Sequence, residues 1–262
     1  MARIDIGGVH LETRLIPGDP ATPWLVFLHE GLGCVALWRD FPDKLARRLG
    51  ARALVYSRRG YGRSDPLDGP RTPDFMHREA LDVLPALLAH FGIEGPLLIG
   101  HSDGASIALV HAAGASQQQR TLSPVAGVVL IAPHVAVEPV SVESIARVRA
   151  AYLRGELRER LARHHEHVDD AFLGWADIWL DARFRDWSLG PEIARLRCPS
   201  LLIQGVDDEY GTLAQIDAIA AGAPGAVTRL VLAGCGHVPQ RDRPAEVLDA
   251  IVDFVSTLPR VS

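Results

Sequence analysis

A mostly parallel β-sheet covered by helices on both faces is the fold this sequence predicts. Three observations carry that prediction. Short runs of residues are apolar throughout rather than alternating, as strands buried on both sides must be. Amphipathic helical patterns lie between those runs, and strand–helix–strand repetition demands a parallel sheet with right-handed crossovers. The chain has 262 residues, 48% of them hydrophobic and 23% charged. That composition is ordinary for a soluble globular protein, and the length suffices for a deep, dry cavity.

The first apolar run is Trp24-Leu25-Val26-Phe27-Leu28. After it, Leu37, Phe41, Leu45 and Leu49 recur every fourth residue and predict a helix over 37–49 that Gly50 ends. Ala53-Leu54-Val55-Tyr56, Pro96-Leu97-Leu98-Ile99 and Gly127-Val128-Val129-Leu130-Ile131 read as the next strands, with Ser116-Gln117-Gln118-Gln119 marking a polar loop. From about 134 to 189 the rhythm breaks into helical patterns of mixed charge. Three of the five tryptophans, Trp175, Trp179 and Trp187, fall there with Tyr152, Phe172 and Phe184. A helical insertion at that point would sit over the carboxyl ends of the strands, where ligands bind. Taken singly, each aromatic could equally anchor the insertion to the body. As a group they predict part of an apolar cavity wall. Leu201-Leu202-Ile203 and Arg229-Leu230-Val231-Leu232 complete the strands. Between them Thr212-x-x-Gln215 has capping-box spacing, and Pro244 opens a last helix striped by Val247, Leu248, Ile251, Val252 and Val255.

Composition narrows the chemistry. A net charge of −5 supplies no basic field for a phosphate backbone, so nucleic acid is not an expected partner. Lys44 is the sole lysine, in a segment reading as the wet face of a helix, which excludes Schiff-base and P-loop chemistry. Cys34, Cys198 and Cys235 are odd in number, widely spaced and without a CxxC pair, so neither zinc nor a disulfide framework is indicated. No signal-peptide pattern opens the chain and no apolar run is long enough for a bilayer; a cytoplasmic protein with no membrane association is expected.

The most informative segment is Leu97-Leu98-Ile99-Gly100-His101-Ser102-Asp103-Gly104. An apolar strand runs into Gly-x-Ser-x-Gly and a small-residue helix follows, a context in which a sharp turn exposes the serine hydroxyl. The Asp103 amide, at the helix N-terminus, can then face a developing negative charge. Of eleven histidines, His237 is best placed as base, in a glycine-rich loop just after the final strand. Asp207, Asp208 and Glu209 cluster at the end of a buried strand, and one of them is a candidate to orient the base. His29-Glu30-Gly31-Leu32-Gly33 ends another strand and could supply a second amide, although a plain turn needing positive φ explains its glycines almost equally well. His164, His165 and His167 suggest metal only weakly, because just His164 and His167 would share a helix face; no metal site is expected. Arg58, Arg59 and Arg63 read as turn and ion-pair residues, one of which could still meet an anionic substrate.

The order Ser102, then Asp207/Asp208, then His237 resembles the α/β-hydrolase superfamily, over about 25–255. The sequence looks like one of its lid-bearing serine hydrolases. Arg59-Gly60-Tyr61-Gly62-Arg63-Ser64 resembles the family's turn before the elbow strand. The resemblance implies a hydrolase core at 1–133 and 190–262, with a helical lid at 134–189 inserted after the sixth strand. It selects Asp208 as the acid, and Gly31 and Asp103 as amide donors to an oxyanion. Trp175 and Trp179 are the substrate-binding residues expected from the lid. In two places the sequence departs from the family. Glu30 stands where the family's His-Gly has glycine, which leaves Leu32 as an alternative donor, and Ser57 stands where an aspartate is common. The implied reaction is hydrolysis of a small carboxylic ester through an acyl-enzyme, on a small molecule with an apolar portion and with no cofactor. Carbon–carbon bond hydrolysis of a diketone-like substrate, acyl transfer to an alcohol, and a non-turnover ligand receptor are the alternatives. Oligomeric state is not legible.

Overall fold

The computed structural model describes residues 1–115, 122 and 124–259. The polar segment at 116–119 lies outside the described residues. Eight strands form one sheet: β1 (Ala2–Ile6), β2 (Val9–Ile16), β3 (Leu25–Leu28), β4 (Ala53–Tyr56), β5 (Leu97–His101), β6 (Gly127–Ile131), β7 (Ser200–Gly205) and β8 (Val227–Leu232). Their order is β1-β2-β4-β3-β5-β6-β7-β8. From β4 to β8 every neighbouring pair is parallel, while β1 and β2 form an antiparallel hairpin that joins β4.

Strand burial explains the uninterrupted apolar runs. In β3, Leu25 and Phe27 face one core while Val26 and Leu28 face the other; in β6, Val129 and Ile131 oppose Val128 and Leu130. Each such side chain is fully removed from water, at roughly 1.5–3 kcal/mol apiece. One core is closed by α1 (Phe41–Leu49) and α11 (Pro244–Thr257), through Phe41, Leu45, Val247, Ile251 and Phe254. The other is closed by α2 (Phe75–Arg78), a π-helical turn (Glu79–Val83), α3 (Leu84–His90), α4 (Asp103–Ala115) and α9 (Ala214–Gly222).

Between β6 and β7 run α5 (Pro139–Leu153), α6 (Glu156–Leu161), α7 (Val168–Leu180), a short 3₁₀ turn (Ala182–Phe184) and α8 (Gly190–Ile193). Their apolar side chains, including Ile145, Phe172, Trp175 and Trp179, belong to the same core as Val26 and Leu28. Burial is thus continuous from the sheet into this segment. Only α6 buries nothing. The last short helix before the closing one is α10 (Pro239–Asp242). Among the described residues no helix is long and apolar enough to cross a membrane.

Local readings needed three corrections. The helix expected over 37–49 is a 3₁₀ turn (Val35–Trp38) and then α1, broken at Arg39, whose φ of 54° no helix tolerates. The capping box at Thr212 does not close. Gln215 instead spends its side chain across the chain, accepting from the amides of Val135 and Ala136 and donating to Glu138. Residues 164 and 167 are not on a helix, since the segment between α6 and α7 is a turn.

Candidate active site

The elbow is a consequence of steric closure. β5 is buried along its whole length and hands directly to α4 through Ser102, whose φ is 53°. A left-handed serine costs on the order of 1–2 kcal/mol and persists only where its surroundings fix it. Here the Ser102 amide donates to Ile131 O at 2.9 Å on β6, while its carbonyl accepts from Ala105 N at 2.8 Å in the helix. Glycine is required on both sides: a Cβ on Gly100 would overlap Gly104 O, and one on Gly104 would overlap Leu28 O. Gly104→Ala is therefore expected to lower the melting temperature by roughly 5–10 °C, from overpacking of about 2–3 kcal/mol. A thermal melt unchanged from the parent would mean that α4 does not cross β3 this closely.

His237 lies in the loop between β8 and α10. Its Nδ1 sits 2.8 Å and 2.9 Å from the two carboxylate oxygens of Asp208. An ionised carboxylate only accepts, so Nδ1 carries a proton, and in the neutral ring the lone pair is on Nε2. Asp208 also accepts from Gln204 Nε2 at 2.7 Å and from the amides of Tyr210 and Gly211 at 2.8 and 3.2 Å. Burial would push its carboxyl up, but the His237 contact and these donors hold it below its ordinary value. Asp207 and Glu209 are exposed; Glu209 accepts from the His237 amide at 3.3 Å. Of the three acids, Asp208 alone is buried against the imidazole.

Ser102 and His237 line one cavity of about 100 Å³, together with Gly31, Leu32, Asp103, Trp175 and Trp179. Every residue singled out from the sequence as a site residue except Asp208 thus faces a common space, and Asp208 stands directly behind His237. Gly31 has no room for a side chain, since a Cβ there would overlap the indole of Trp175. Trp179 Nε1 donates to Asp103 Oδ1 at 3.2 Å. Of the other aromatics of the segment, Tyr152 stacks on Phe172 at 3.7 Å, and Phe184 stacks on Trp187 at 5.0 Å and meets Phe75 of α2 at 6.0 Å.

Three wall residues, Ile145, His134 and Tyr210, escaped sequence reasoning, and the last two lie against His237. His134 lies just past β6, fully buried, with its ring 4.9 Å from Trp179 and 5.7 Å from His237. Burial pushes its imidazole down to about 3, so it is neutral. Tyr210 places its ring 4.8 Å from His237. Position at the carboxyl end of a parallel strand was the available signal for both.

The arginines turn away from the cavity. Arg59 holds Pro66 O and Asp68, and Arg63 lies 3.5 Å from Glu166. Arg58 is wholly buried, donating to the carbonyls of His29 and Glu30 at 2.6 and 3.1 Å. The carboxylate missing at Ser57 comes from Glu12 on β2, which accepts from Ser57 Oγ at 2.7 Å and from the Arg63 amide at 3.1 Å. Glu30 lies 3.4 Å from His101 Nδ1; burial would raise its carboxyl, and the ring beside it holds it below its ordinary value. His165 accepts from the Gly62 amide at 3.0 Å and reaches Leu32 O at 3.1 Å, so it fastens two loops. Burial pushes the Cys34 thiol up to about 12, the behaviour of a core filler rather than a nucleophile. Among the described residues no three His, Cys, Asp or Glu side chains gather as metal ligands would.

A hairpin leading six parallel strands, with β3 between β4 and β5 and the serine turn at the centre, is the scaffold of an α/β hydrolase. Comparison with known proteins makes this specific: a model of the alpha/beta hydrolase family matches residues 25–250, and the chain belongs to that family. It is 30% identical over 106 residues to the sn-1-specific diacylglycerol lipase ABHD11 of Mus musculus, a match covering 40% of this chain and 33% of that protein. The alignment thus spans about a third of that relative's length. The fold is similar to that of the enol-lactonase from Burkholderia xenovorans, with a TM-score of 0.74 and 22% identity over 97% of this chain and all of that one. It is also similar to a thermophilic esterase from Thermogutta terrifontis, at a TM-score of 0.73 and 21% identity over 98% of each chain. At these identities the likeness to both structures is one of fold.

Proposed function

We propose that the chain is a serine hydrolase acting on a small, uncharged carboxylic ester. The observation that carries this reading is the His237–Asp208 pair at 2.8 Å, with Ser102 and His237 lining one cavity. Ser102 Oγ attacks the ester carbonyl carbon while His237 Nε2 takes its proton. The carbonyl electron pair becomes an oxyanion facing the amides of Gly31 and Asp103. Collapse expels the alcohol, which leaves with the proton from His237, and Ser102 keeps the acyl group. Water, deprotonated by the same imidazole, attacks the acyl carbonyl, and collapse of this second adduct releases the acid as Ser102 Oγ leaves with the proton from His237.

Three features favour a short neutral ester. The cavity, at about 100 Å³, is far below the roughly 300–1,000 Å³ of sites for drug-sized ligands. Ile145, Trp175 and Trp179 give it apolar walls. Its charged neighbours are the carboxylates Glu30 and Asp103, and no arginine or lysine lines it among the described residues. The similar proteins, a lipase, a lactonase and an esterase, all act on ester bonds. The segment between β6 and β7 acts as the lid, contributing Trp175 and Trp179.

The test is a series of p-nitrophenyl esters from acetate to octanoate, set against cleavage of a β-diketone. Turnover should be fastest with acetate or propionate. Trp175→Ala should move the optimum to longer chains, raising the hexanoate-to-acetate ratio of kcat/KM roughly tenfold or more. Diketone cleavage without ester turnover would replace this reading with carbon–carbon hydrolysis. Tight ligand binding without any turnover would make the chain a receptor.

A further inference from the structure

We infer that Arg58, together with His29, is a positioning residue that aims the Gly31 amide at the oxyanion. The inference rests on the ester-hydrolase reading and adds the device that sets its electrophilic side. Glu30 O accepts from three donors: Arg58 Nη2 at 3.1 Å, the Gly33 amide at 3.1 Å, and His29 Nδ1 at 2.7 Å. A second guanidinium nitrogen, Nη1, holds the preceding carbonyl, His29 O, at 2.6 Å. The two rotatable units before Gly31 are therefore pinned at their oxygens.

A trans peptide places its N–H opposite its C=O, and the chain has no cis bond among the described residues. Drawing Glu30 O toward Arg58 thus turns the Gly31 N–H the other way. Gly31 lines the same cavity as Ser102 and Asp103. This resolves the choice between Gly31 and Leu32 as donor: the Glu30–Gly31 peptide is the one that is clamped. It also explains how the loop works with Glu30 in place of glycine, since the clamp grips the backbone and ignores the side chain.

The clamp is itself fixed. His29 Nε2 accepts from the Arg58 amide at 3.0 Å, which leaves Nδ1 to carry the proton donated to Glu30 O. Burial and the neighbouring guanidinium keep this imidazole neutral. The guanidinium carbon lies 5.0 Å from the Tyr61 ring centroid, and Asp103 Oδ2 is 3.9 Å from Nη2. Asp103 therefore offers its amide to the cavity while its carboxylate balances the charge that orients the opposite donor. Lysine at position 58 would keep the charge but lacks the planar fork that spans two carbonyls.

Arg58→Lys and His29→Leu should each lower kcat for acetate esters, per site titrated by a fluorophosphonate, by roughly 10–100-fold, with KM within about threefold. Affinity for an alkylboronic acid, which forms a tetrahedral adduct on serine, should fall by the same factor. A merely structural role would lower the titratable fraction or the melting temperature and leave kcat per site unchanged. His29→Leu removes no buried charge, so it remains informative if Arg58→Lys folds poorly. Parental kcat per site in either folded variant, or lower kcat without weaker boronate binding, overturns the inference. Parental turnover in Arg58→Lys beside an inactive Ser102→Ala overturns this inference alone. An active Ser102→Ala overturns the ester-hydrolase reading and this inference with it.

Discussion

Ser102→Ala is expected to abolish covalent labelling by a fluorophosphonate and to reduce ester turnover on the order of 10⁶-fold. The size follows from losing the covalent route, which leaves only the residual acceleration that amide donors and substrate binding lend to direct attack by water. The fold should survive. The strained φ of 53° belongs to the backbone between β5 and α4, and alanine meets the same steric cost there as serine. The melting temperature should therefore stay close to that of the parent. Ser106, one turn further along, supplies an internal control. Its hydroxyl is buried and committed to His134 O at 2.6 Å. Labelling that persisted in Ser102→Ala, at Ser106 or elsewhere, would remove Ser102 as nucleophile.

Asp208→Asn is expected to lower kcat about 10⁴-fold with little change in KM. The asparagine amide can present an N–H to the imidazole, which forces the His237 proton onto Nε2 and leaves no lone pair to face Ser102. Asparagine also has one acceptor oxygen where the carboxylate has two, and that site now receives His237, Gln204 and two backbone amides. A stability loss of about 1–3 kcal/mol should accompany the kinetic one, visible as a lower melting temperature. Asp207→Asn is the matched comparison, because that side chain is exposed. Its kcat should stay within about twofold of the parent. Equal losses at the two positions would mean that the acid is wrongly assigned.

How much of this was legible in the sequence depends on the range of the interaction. Five of the six apolar runs matched strands because burial on both faces leaves a local signature, one residue after another; the sixth matched β8, an edge strand in which only Leu232 is buried. The hairpin β1–β2 escaped that signature although its turn is Gly7-Gly8, with φ of 61° and 86°. Its strands are half exposed and alternate, so a search for continuous apolar runs passes over them. The helix expected over 37–49 failed for a related reason: periodicity reports which face is apolar and is blind to a single residue, Arg39, whose positive φ interrupts the helix.

By itself the sequence determined the layered sheet, the serine turn at Gly100–Gly104, and the order in which Ser102, the acidic cluster and His237 occur. Each is written in a contiguous stretch whose backbone chemistry has few solutions. Only the tertiary structure decided which of three adjacent acids meets His237, because neighbouring residues at a strand end point in different directions and the difference between buried and exposed arises from the other loops. The same holds for Arg58, which a local reading leaves as a turn residue and which the fold sinks beneath the His29–Gly31 loop. It holds again for Glu12, which brings a carboxylate to Ser57 from a strand 45 residues away in the chain. Partnerships of that kind are fixed by what packing brings within about 3 Å, and no spacing along the chain records them.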